Sequence, residues 1–434
     1  MPTALERNGD FSQSVQTNGS LIVVKDPLNG IQFPNNVIPQ SRFDSTGVGA
    51  KILNFFPLPN YSPAPGSPNY LKYNFQLLNG GQHPLRDDVV RIDANPTSKI
   101  AVYARMVKDK DITTDPFAGF DFIYSPQSHP LPAFNYSAAV TYTIKPTLVN
   151  EFNIGKAGSD WNYYYNDPSN LTRSVFGNPP KLFPVQYNDP STVQSLDGSN
   201  LHMYDFIPNV SFGSIPSSAT SVSLGRETPN PVHNYSIVDN ISWIKGKHTL
   251  KFGIYEEYAW KYQPSGGAYT GSYNFGNDSN NTSFGSQDGY ANALLGYFAS
   301  YSEQNLRLAN IVDYWNSEWY VQDSWRASRR LTIDLGVRFY HQTPQVDENG
   351  TWAIFDPTKF TTANIPRLYV PFISNGKRVA EDPATGALAP AAAIGAYVPG
   401  TGSQSNGMIP LGKGQNAYTQ KPGVVAAPPT RVCL

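Results

Sequence analysis

The stretch HTLKFGIYEEYAWKYQ (His248–Gln263) alternates apolar and polar residues over most of its length. Successive strand side chains point to opposite faces, so one face carries Leu250, Phe252, Ile254, Tyr258, Trp260 and Tyr262. The other carries Thr249, Lys251, Gly253, Tyr255, Glu257 and Lys261. RLTIDLGVRFYHQ (Arg330–Gln342) repeats the pattern, with Leu331, Ile333, Leu335, Val337 and Phe339 set against Thr332, Asp334, Gly336, Arg338 and Tyr340. A period of two over this length, with aromatics at the ends, predicts long two-faced strands.

Three further regions extend the pattern into hairpins. In Asp88–Val107, Val90, Ile92 and Ala94 share one face and Ile100, Val102, Ala104 and Met106 another, with a turn over Asn95–Ser98. Ala138–Lys156 turns at Lys145-Pro146. Tyr235–Gly253 turns through Lys245-Gly246-Lys247. The hairpin Trp315–Tyr340 turns near Ala327–Arg329, and an extra strand is predicted over Tyr297–Gln304. The hairpins are joined by connections of roughly 30, 80 and 50 residues, longer than compact soluble domains usually tolerate. Short turns at one end and long loops at the other are the pattern of an outer-membrane β-barrel wall. The fold expected is therefore all-β, an antiparallel transmembrane β-barrel segment of about eight or nine strands with long extracellular loops. Prediction divides the chain into a loop-rich segment (1–80), barrel hairpins with their loops (81–343) and a long, partly disordered C-terminal segment (344–434).

Composition agrees. The 434-residue chain has 15% charged residues, 13% aromatics, 27 Tyr, 35 Gly and 37 Pro, whereas ordinary soluble proteins carry about 25% charge. A formal net charge of −1 gives no reason to expect nucleic acid as a partner. The single cysteine, Cys433, excludes an intrachain disulfide. With that context, the Asn-x-Ser/Thr triplets at Asn135, Asn170, Asn209 and Asn281 read as chance matches. No run approaches the ~20 apolar residues of a membrane helix. The opening residues MPTALERNGDFSQ lack the basic and apolar regions of a signal peptide. In the N-terminal segment one helix is predicted between Asp44 and Phe56, capped by Asp44 or Ser45 and stopped by Pro57.

Several segments resemble the barrel of TonB-dependent outer-membrane receptors of the Oar-like kind. They are PTALERNGDFSQ (Pro2–Gln13), DPLNG, FPNNVIPQSRFD (Phe33–Asp44), FPLPN (Phe56–Asn60), PTLVNEFNIG (Pro146–Gly155), DNISWIKGKHTLKFG (Asp239–Gly253), ANALLGY (Ala291–Tyr297) and YVQDSWRASRRLTIDLGVRF (Tyr320–Phe339). The resemblance runs to about Asp356 and rests on order and spacing. Such receptors combine a plug, a TonB-contacting segment and a barrel of about 22 strands. It implies that this chain is a middle piece of such a barrel, a receptor or transporter in the outer membrane of a Gram-negative bacterium. Its partners would be outer-membrane lipid, an extracellular substrate of unspecified chemistry, and TonB only through parts this chain lacks. The tail APPTRVCL departs from the family pattern. A secreted β-rich adhesin or carbohydrate-binding protein is the alternative reading, and a β-sheet glycoside hydrolase a more distant one.

Catalytic, metal and cofactor sites are not expected. His83, His129, His202, His233, His248 and His341 are scattered, without metal-ligand spacing. The doublets Asp87-Asp88 and Glu256-Glu257 place their carboxylates on opposite faces of a strand. There is no GxSxG elbow, and Gly266-Gly267 does not form a phosphate loop. Trp243, Trp260, Trp315, Trp319 and Trp325 fit an interfacial aromatic girdle, with sheet packing and a sugar-stacking platform as the other readings. Leu250, Phe252, Ile254, Leu331, Ile333, Leu335 and Val337 are expected to face lipid, and Lys251, Asp334 and Arg338 the lumen. Asp239 is out of place among Ile237, Ile241 and Trp243, where a lipid-facing carboxylate is unfavourable at mid-bilayer.

Overall fold

The computed structural model describes residues 1–78, 80–115, 127–162, 164–181, 206–213, 230–264, 270–278, 285–303, 309–413, 415 and 430–433. His202, Asn281 and Gly266-Gly267 lie outside the described residues.

The hairpins form as the alternation dictates. They are β1 (Leu85–Thr97) with β2 (Ile100–Asp115) and, after the short β3 (Gln127–Pro130), β4 (Ala133–Lys145) with β5 (Leu148–Trp161). Past the short β6 (Tyr164–Tyr165) and β7 (Asn209–Ser211) come β8 (Asn230–Lys245) and β9 (His248–Pro264). After β10 (Ser272–Asn274) and β11 (Ser300–Ser302), the last hairpin is β12 (Ala309–Trp325) with β13 (Ile333–Gln342). Neighbouring hairpins pair in chain order, β1-β2-β4-β5-β8-β9-β12-β13, and β20 (Thr430–Cys433) adds to the outer edge of β13. All these pairings are antiparallel. The wall is an open sheet: the outer edge of β1 has no strand partner among the described residues.

Long strands run past the bilayer. A tilted barrel strand needs about 9–11 residues to cross, whereas β9 and β12 each have 17. The excess lies toward the long loops. The turns at the other end are tight: Ser98-Lys99, Pro146-Thr147 and Gly246-Lys247, the last with Gly246 at φ 63. The sequence reading moves in three places. Leu331 and Thr332 lie in the turn before β13, where Ser328 N–H bonds the Leu331 carbonyl, so Leu331 is not a strand residue on the lipid row. Of the extra strand predicted over Tyr297–Gln304, whose last residue lies outside the described residues, 297–303 hold only β11, which pairs with β10 outside the wall. The hairpin strands also outrun their predicted ends, because ladder pairing continues past the alternating segment.

The N-terminal segment is more than a loop around one helix. α1 (Ala4–Arg7) is closed by a capping box, with the Thr3 hydroxyl accepting from Glu6 N–H and the Glu6 carboxylate from Thr3 N–H. α2 (Val48–Phe55) starts after Gly47 at φ 68, with no side-chain cap. Asp44 accepts the Gly47 N–H through its carbonyl, so it opens the preceding turn and does not cap the helix. α3 (Gly289–Leu295) is capped by Asp288 and closed by Gly296.

These helices and the long connections share one apolar core at the long-loop end. It contains Phe11, Ile38, Ile52, Leu53, Leu171, Phe176, Phe212 and Leu294. α2 approaches α3 so closely at Gly49 that a Cβ there would meet the Ala293 carbonyl oxygen at 1.7 Å. Asn36, fully buried, ties three segments together: its amide donates to the carbonyls of Phe11 (2.7 Å) and Ile22 (2.8 Å) and accepts Val24 N–H (2.8 Å). Residues 344–413, read from sequence as a long loop, carry β14 (Val346–Asp347), which pairs with β12. They also carry the pair β15 (Ala353–Phe355) with β19 (Met408–Pro410) and the small sheet β16 (Val370–Ser374), β17 (Lys377–Glu381) and β18 (Leu388–Ala389). A two-bonded Arg367–Asp382 pair at 2.9 Å fastens this segment and holds the Asp382 carboxyl well below the usual range.

Candidate functional site

Pairing register sorts every wall residue onto one of two faces. Ile241, Phe252, Val321 and Val337 stand directly opposite one another on four strands. So do Ser242, Lys251, Gln322 and Gly336 on the other face. The first face is apolar and exposed, with Ile254 47% and Leu335 62% accessible. The second is a polar ladder. An exposed apolar sheet face is stable only against lipid, so the first face is the outside of the wall and the second the lumen. Leu250, Phe252, Ile254, Ile333, Leu335 and Val337 fall on the first, and Lys251, Asp334 and Arg338 on the second.

The lumenal groups are positioned by one another. Gly253 leaves room for the Tyr320 ring, which a Cβ would meet at 2.2 Å. Tyr320 leans across β9 and donates to the Asn240 side-chain carbonyl on β8 at 2.9 Å. Arg338 pairs with Glu318 and lies 5.8 Å above the Tyr320 ring. Glu257 accepts from Asn234 (3.0 Å) and Asn316 (2.8 Å), and Tyr340 donates to Gln342 (3.0 Å). Asn240, Glu318, Tyr320 and Arg338, with Lys251, Tyr255, Gln322 and Asp334, line a recess of about 630 Å³. Donors and acceptors of both signs line it, which suits hydrogen bonding to a polar solute.

On the outer face the tryptophans do not form one belt. Trp315 and Trp325 mark the two ends of a band on β12, ~34 Å apart along the strand at ~3.4 Å per residue, or ~25 Å along the normal at a ~45° tilt. That equals the height of a barrel's apolar band, about 25 Å. At the upper end Tyr136, Lys156, Tyr235, Tyr258 and Trp315 stand opposite one another across five strands. Trp243 and Trp325 stand near the short turns, Trp325 stacked on His248 at 5.7 Å. Trp260 lies beyond the upper row, opposite Asp313. Trp319 sits between the ends, stacked on Phe339 at 3.9 Å; it is a packing residue.

Three acids on the outer face, Asp239, Glu256 and Asp323, have hydrogen-bond partners. Asp239 accepts from the Asn150 side-chain amide, which explains how a carboxylate is held between Ile254 and Phe152. Glu256 accepts from Ser317 and Asp323 bonds His248. The two carboxylate doublets do split between faces: Glu257 is lumenal and Glu256 outward. His83 bonds Asp111 and His233 bonds Asp160, both at 2.6 Å. Among the described residues no cluster of His, Cys, Asp and Glu is arranged to hold a metal, and no helix is long and apolar enough to cross a membrane.

Sequence reasoning missed Asn36, Asn292 and Asp288 in the core at the long-loop end. Asn292 accepts from Ser286 N–H (2.7 Å) and donates to the Phe275 carbonyl (2.7 Å). Asp288 accepts from Tyr290 and Ala291 N–H, both at 2.9 Å, and its complete burial pushes its carboxyl up to about 7. The N-cap pattern Asp288-Gly-Tyr-Ala was the available signal.

A two-faced antiparallel wall with an apolar outer band, aromatic rows and a polar lumen defines an outer-membrane β-barrel protein. The family description of an outer membrane beta barrel domain matches residues 1–413, and the chain belongs to that family. No curated protein matches the sequence. A solved structure with a similar arrangement is the outer membrane transporter YddB from Escherichia coli, 8% identical with a TM-score of 0.32, over 62% of this chain and 29% of that one. The chain spans less than a third of that transporter.

Proposed function

We propose that this chain is wall and extracellular loops of a TonB-dependent receptor of the Oar-like kind, a binding and transport protein without catalytic activity. The observation that carries the reading is the two-faced wall whose lumen presents a polar recess while its long loops fold into one body at the mouth. The family membership supports a barrel in the outer membrane. The segments quoted above, from Pro2–Gln13 to Tyr320–Phe339, support the TonB-dependent type. In this reading the open sheet is completed by further strands of a larger barrel. The loop body captures an extracellular substrate, and the lumenal groups of β8, β9, β12 and β13 line its path. Coupling to TonB belongs to parts outside these strands.

Labelling of intact cells tests it. A cysteine at exposed Asn18 in the loop body and another at Gly246 in a short turn are probed with a membrane-impermeant maleimide. Labelling at position 18 in intact cells, with labelling at 246 only after the outer membrane is opened, is the expected result. Recovery of the chain in the culture medium would instead support a secreted adhesin.

A further inference from the structure

The loop body holds a pocket of about 390 Å³, separate from the lumenal recess and within the size range of small-ligand sites. It lies between residues 61–75, just ahead of the long-loop end of β1, and the segment from α1 to Val15, and four tyrosines line it: Tyr61, Tyr70, Tyr73 and Tyr290. Tyr61 and Tyr73 are stacked, with centroids 5.3 Å apart and planes 17° from parallel. The Asn74 carbonyl accepts the N–H groups of Asn60 and Tyr61, both at 3.1 Å. The Asn60 side chain bonds the Gln76 carbonyl and N–H, both at 2.8 Å. The two arms that carry the stacked rings are thus pinned to each other, which lowers the ordering cost of binding. Leu71, between Tyr70 and Tyr73, is held at φ 60, a conformation that bulky residues rarely adopt and that recurs at ligand clamps.

The groups this pocket offers a ligand are mostly neutral. The buried Glu6 carboxylate is occupied within its own segment, accepting from Thr3 N–H (2.8 Å), the Thr3 hydroxyl (2.9 Å) and the Ser14 hydroxyl (2.7 Å). The Met1 amino group donates to the Asn74 side-chain oxygen at 2.7 Å. Lys72, the other charged side chain of the lining, is exposed. Among the described residues, the Gln13 amide, the Ser62 hydroxyl and the phenols of Tyr61 and Tyr70 remain as donors and acceptors. Flat aromatic faces beside amides and hydroxyls match a sugar ring. Its weakly positive C–H face packs on the negative face of an aromatic ring, and its hydroxyls exchange hydrogen bonds with neutral side chains. An ionic ligand would need a buried countercharge, and Glu6 is already satisfied.

We propose that this pocket binds a neutral oligosaccharide, with a sugar ring against Tyr70 and Tyr73 and its hydroxyls bonded to Gln13 and Ser62. Tyr70 and Tyr73 are 41% and 38% accessible, and that exposed ring surface is what the sugar covers. Tyrosine suits the task because it gives a large, rigid contact area at low cost in side-chain freedom. The proposal rests on the reading that the loop body faces the cell exterior and captures substrate there, and it names the class of that substrate.

The test keeps the protein in its own outer membrane. Host cells deleted for the native gene, and the same cells complemented with it, are washed over an array of immobilised gluco-, manno-, xylo- and galacto-oligosaccharides. Charged oligosaccharides and proline-rich peptides occupy further spots. Complemented cells should be retained on at least one neutral class at least tenfold over the deleted cells. Tyr70→Ala/Tyr73→Ala should lower retention to the deleted level, and Gln13→Ala should lower it at least threefold. Tyr70→Phe/Tyr73→Phe, which keeps the ring faces, should stay within threefold of the parent. Phe372→Ala, an exposed aromatic on β16 outside the pocket, should change nothing. Maleimide labelling of Asn18→Cys in each background measures how much protein stands at the surface. With that labelling equal, the site is overturned by retention on no neutral glycan, by retention that survives Tyr70→Ala/Tyr73→Ala, by loss in the phenylalanine variant, or by retention on the charged or peptide spots alone. Absence of labelling at position 18 in intact cells would overturn the extracellular placement of the loop body, and the site with it.

Discussion

Gly253 shows how a single missing side chain organises the lumen. The space above it holds the Tyr320 ring, and the hydroxyl of that ring reaches Asn240 two strands away. Gly253→Ala should lose roughly 1–3 kcal/mol through overpacking. The added methyl would meet the ring and also the Asn240 side-chain oxygen at 2.4 Å; that amide is free to turn once Tyr320 no longer donates to it, so Tyr320→Ala and Gly253→Ala/Tyr320→Ala should unfold at nearly the same urea concentration. A double variant as impaired as the sum of both singles would show that Gly253 serves some other contact. Asp288 offers a second test. Burial raises its carboxyl to about 7, so the folded state holds a proton that the unfolded chain releases near its ordinary value. The folded state therefore binds more protons across that interval, and stability declines as pH rises from about 4 to about 7. Asp288→Asn keeps a side-chain oxygen for the Tyr290 and Ala291 N–H groups and cannot ionise. Its stability, followed by thermal unfolding, should vary less over that window than the parent's, and an unchanged pH profile would contradict the assignment. The cap position of Asp288 had a local signal, but neither the packing at Gly253 nor the burial of Asp288 was legible from sequence. Gly253 reads there as an ordinary lumenal position, and the charge of Asp288 gives no hint that a core assembled from distant segments will enclose it.

The hairpins were legible because period-two alternation and short turns are local properties of the chain. The outward row could be written down from Phe252 and Val337 alone, since a strand admits only two faces. Depth within the membrane was not legible, because it depends on pairing. Ile333 stands opposite Trp325 at the short-turn end, whereas Val337 stands opposite Val321 near the middle of the band. Arginine substitutions should follow that depth: Val337→Arg about 2–4 kcal/mol less stable, Ile333→Arg about 0–1 kcal/mol, and Gln322→Arg on the lumenal face close to neutral. Urea titration after refolding into liposomes measures all three, and equal losses at 322 and 337 would remove the distinction between the faces. The short helices escaped notice for a different reason. α1 has four residues, too few for a helical period, and every residue of α3 is buried, so it has no polar face to create one.

At the scale of the whole molecule the open edge of the wall decides what the chain can do alone. β1 presents thirteen residues whose outward-lying backbone groups have no strand partner among the described residues. In hydrocarbon each unsatisfied N–H or C=O costs several kcal/mol, and barrels avoid the loss by closing. Bending these strands into a smaller ring would require a different tilt and stagger from those the register sets. Lumenal packing such as Tyr320 across Gly253 ties three neighbouring strands to the existing curvature and opposes that change. The folded loop body opposes it too, since Asn36 and Gly49 join segments that would have to separate or slide. The chain refolded by itself from detergent should therefore yield no uniform conductance in a planar bilayer and should run on gels without a heat-modifiable, compact form. Steady unitary steps of one size, accompanied by a fast-migrating unheated band, would mean that β1 and the opposite edge find each other. The larger barrel proposed above would then be unnecessary.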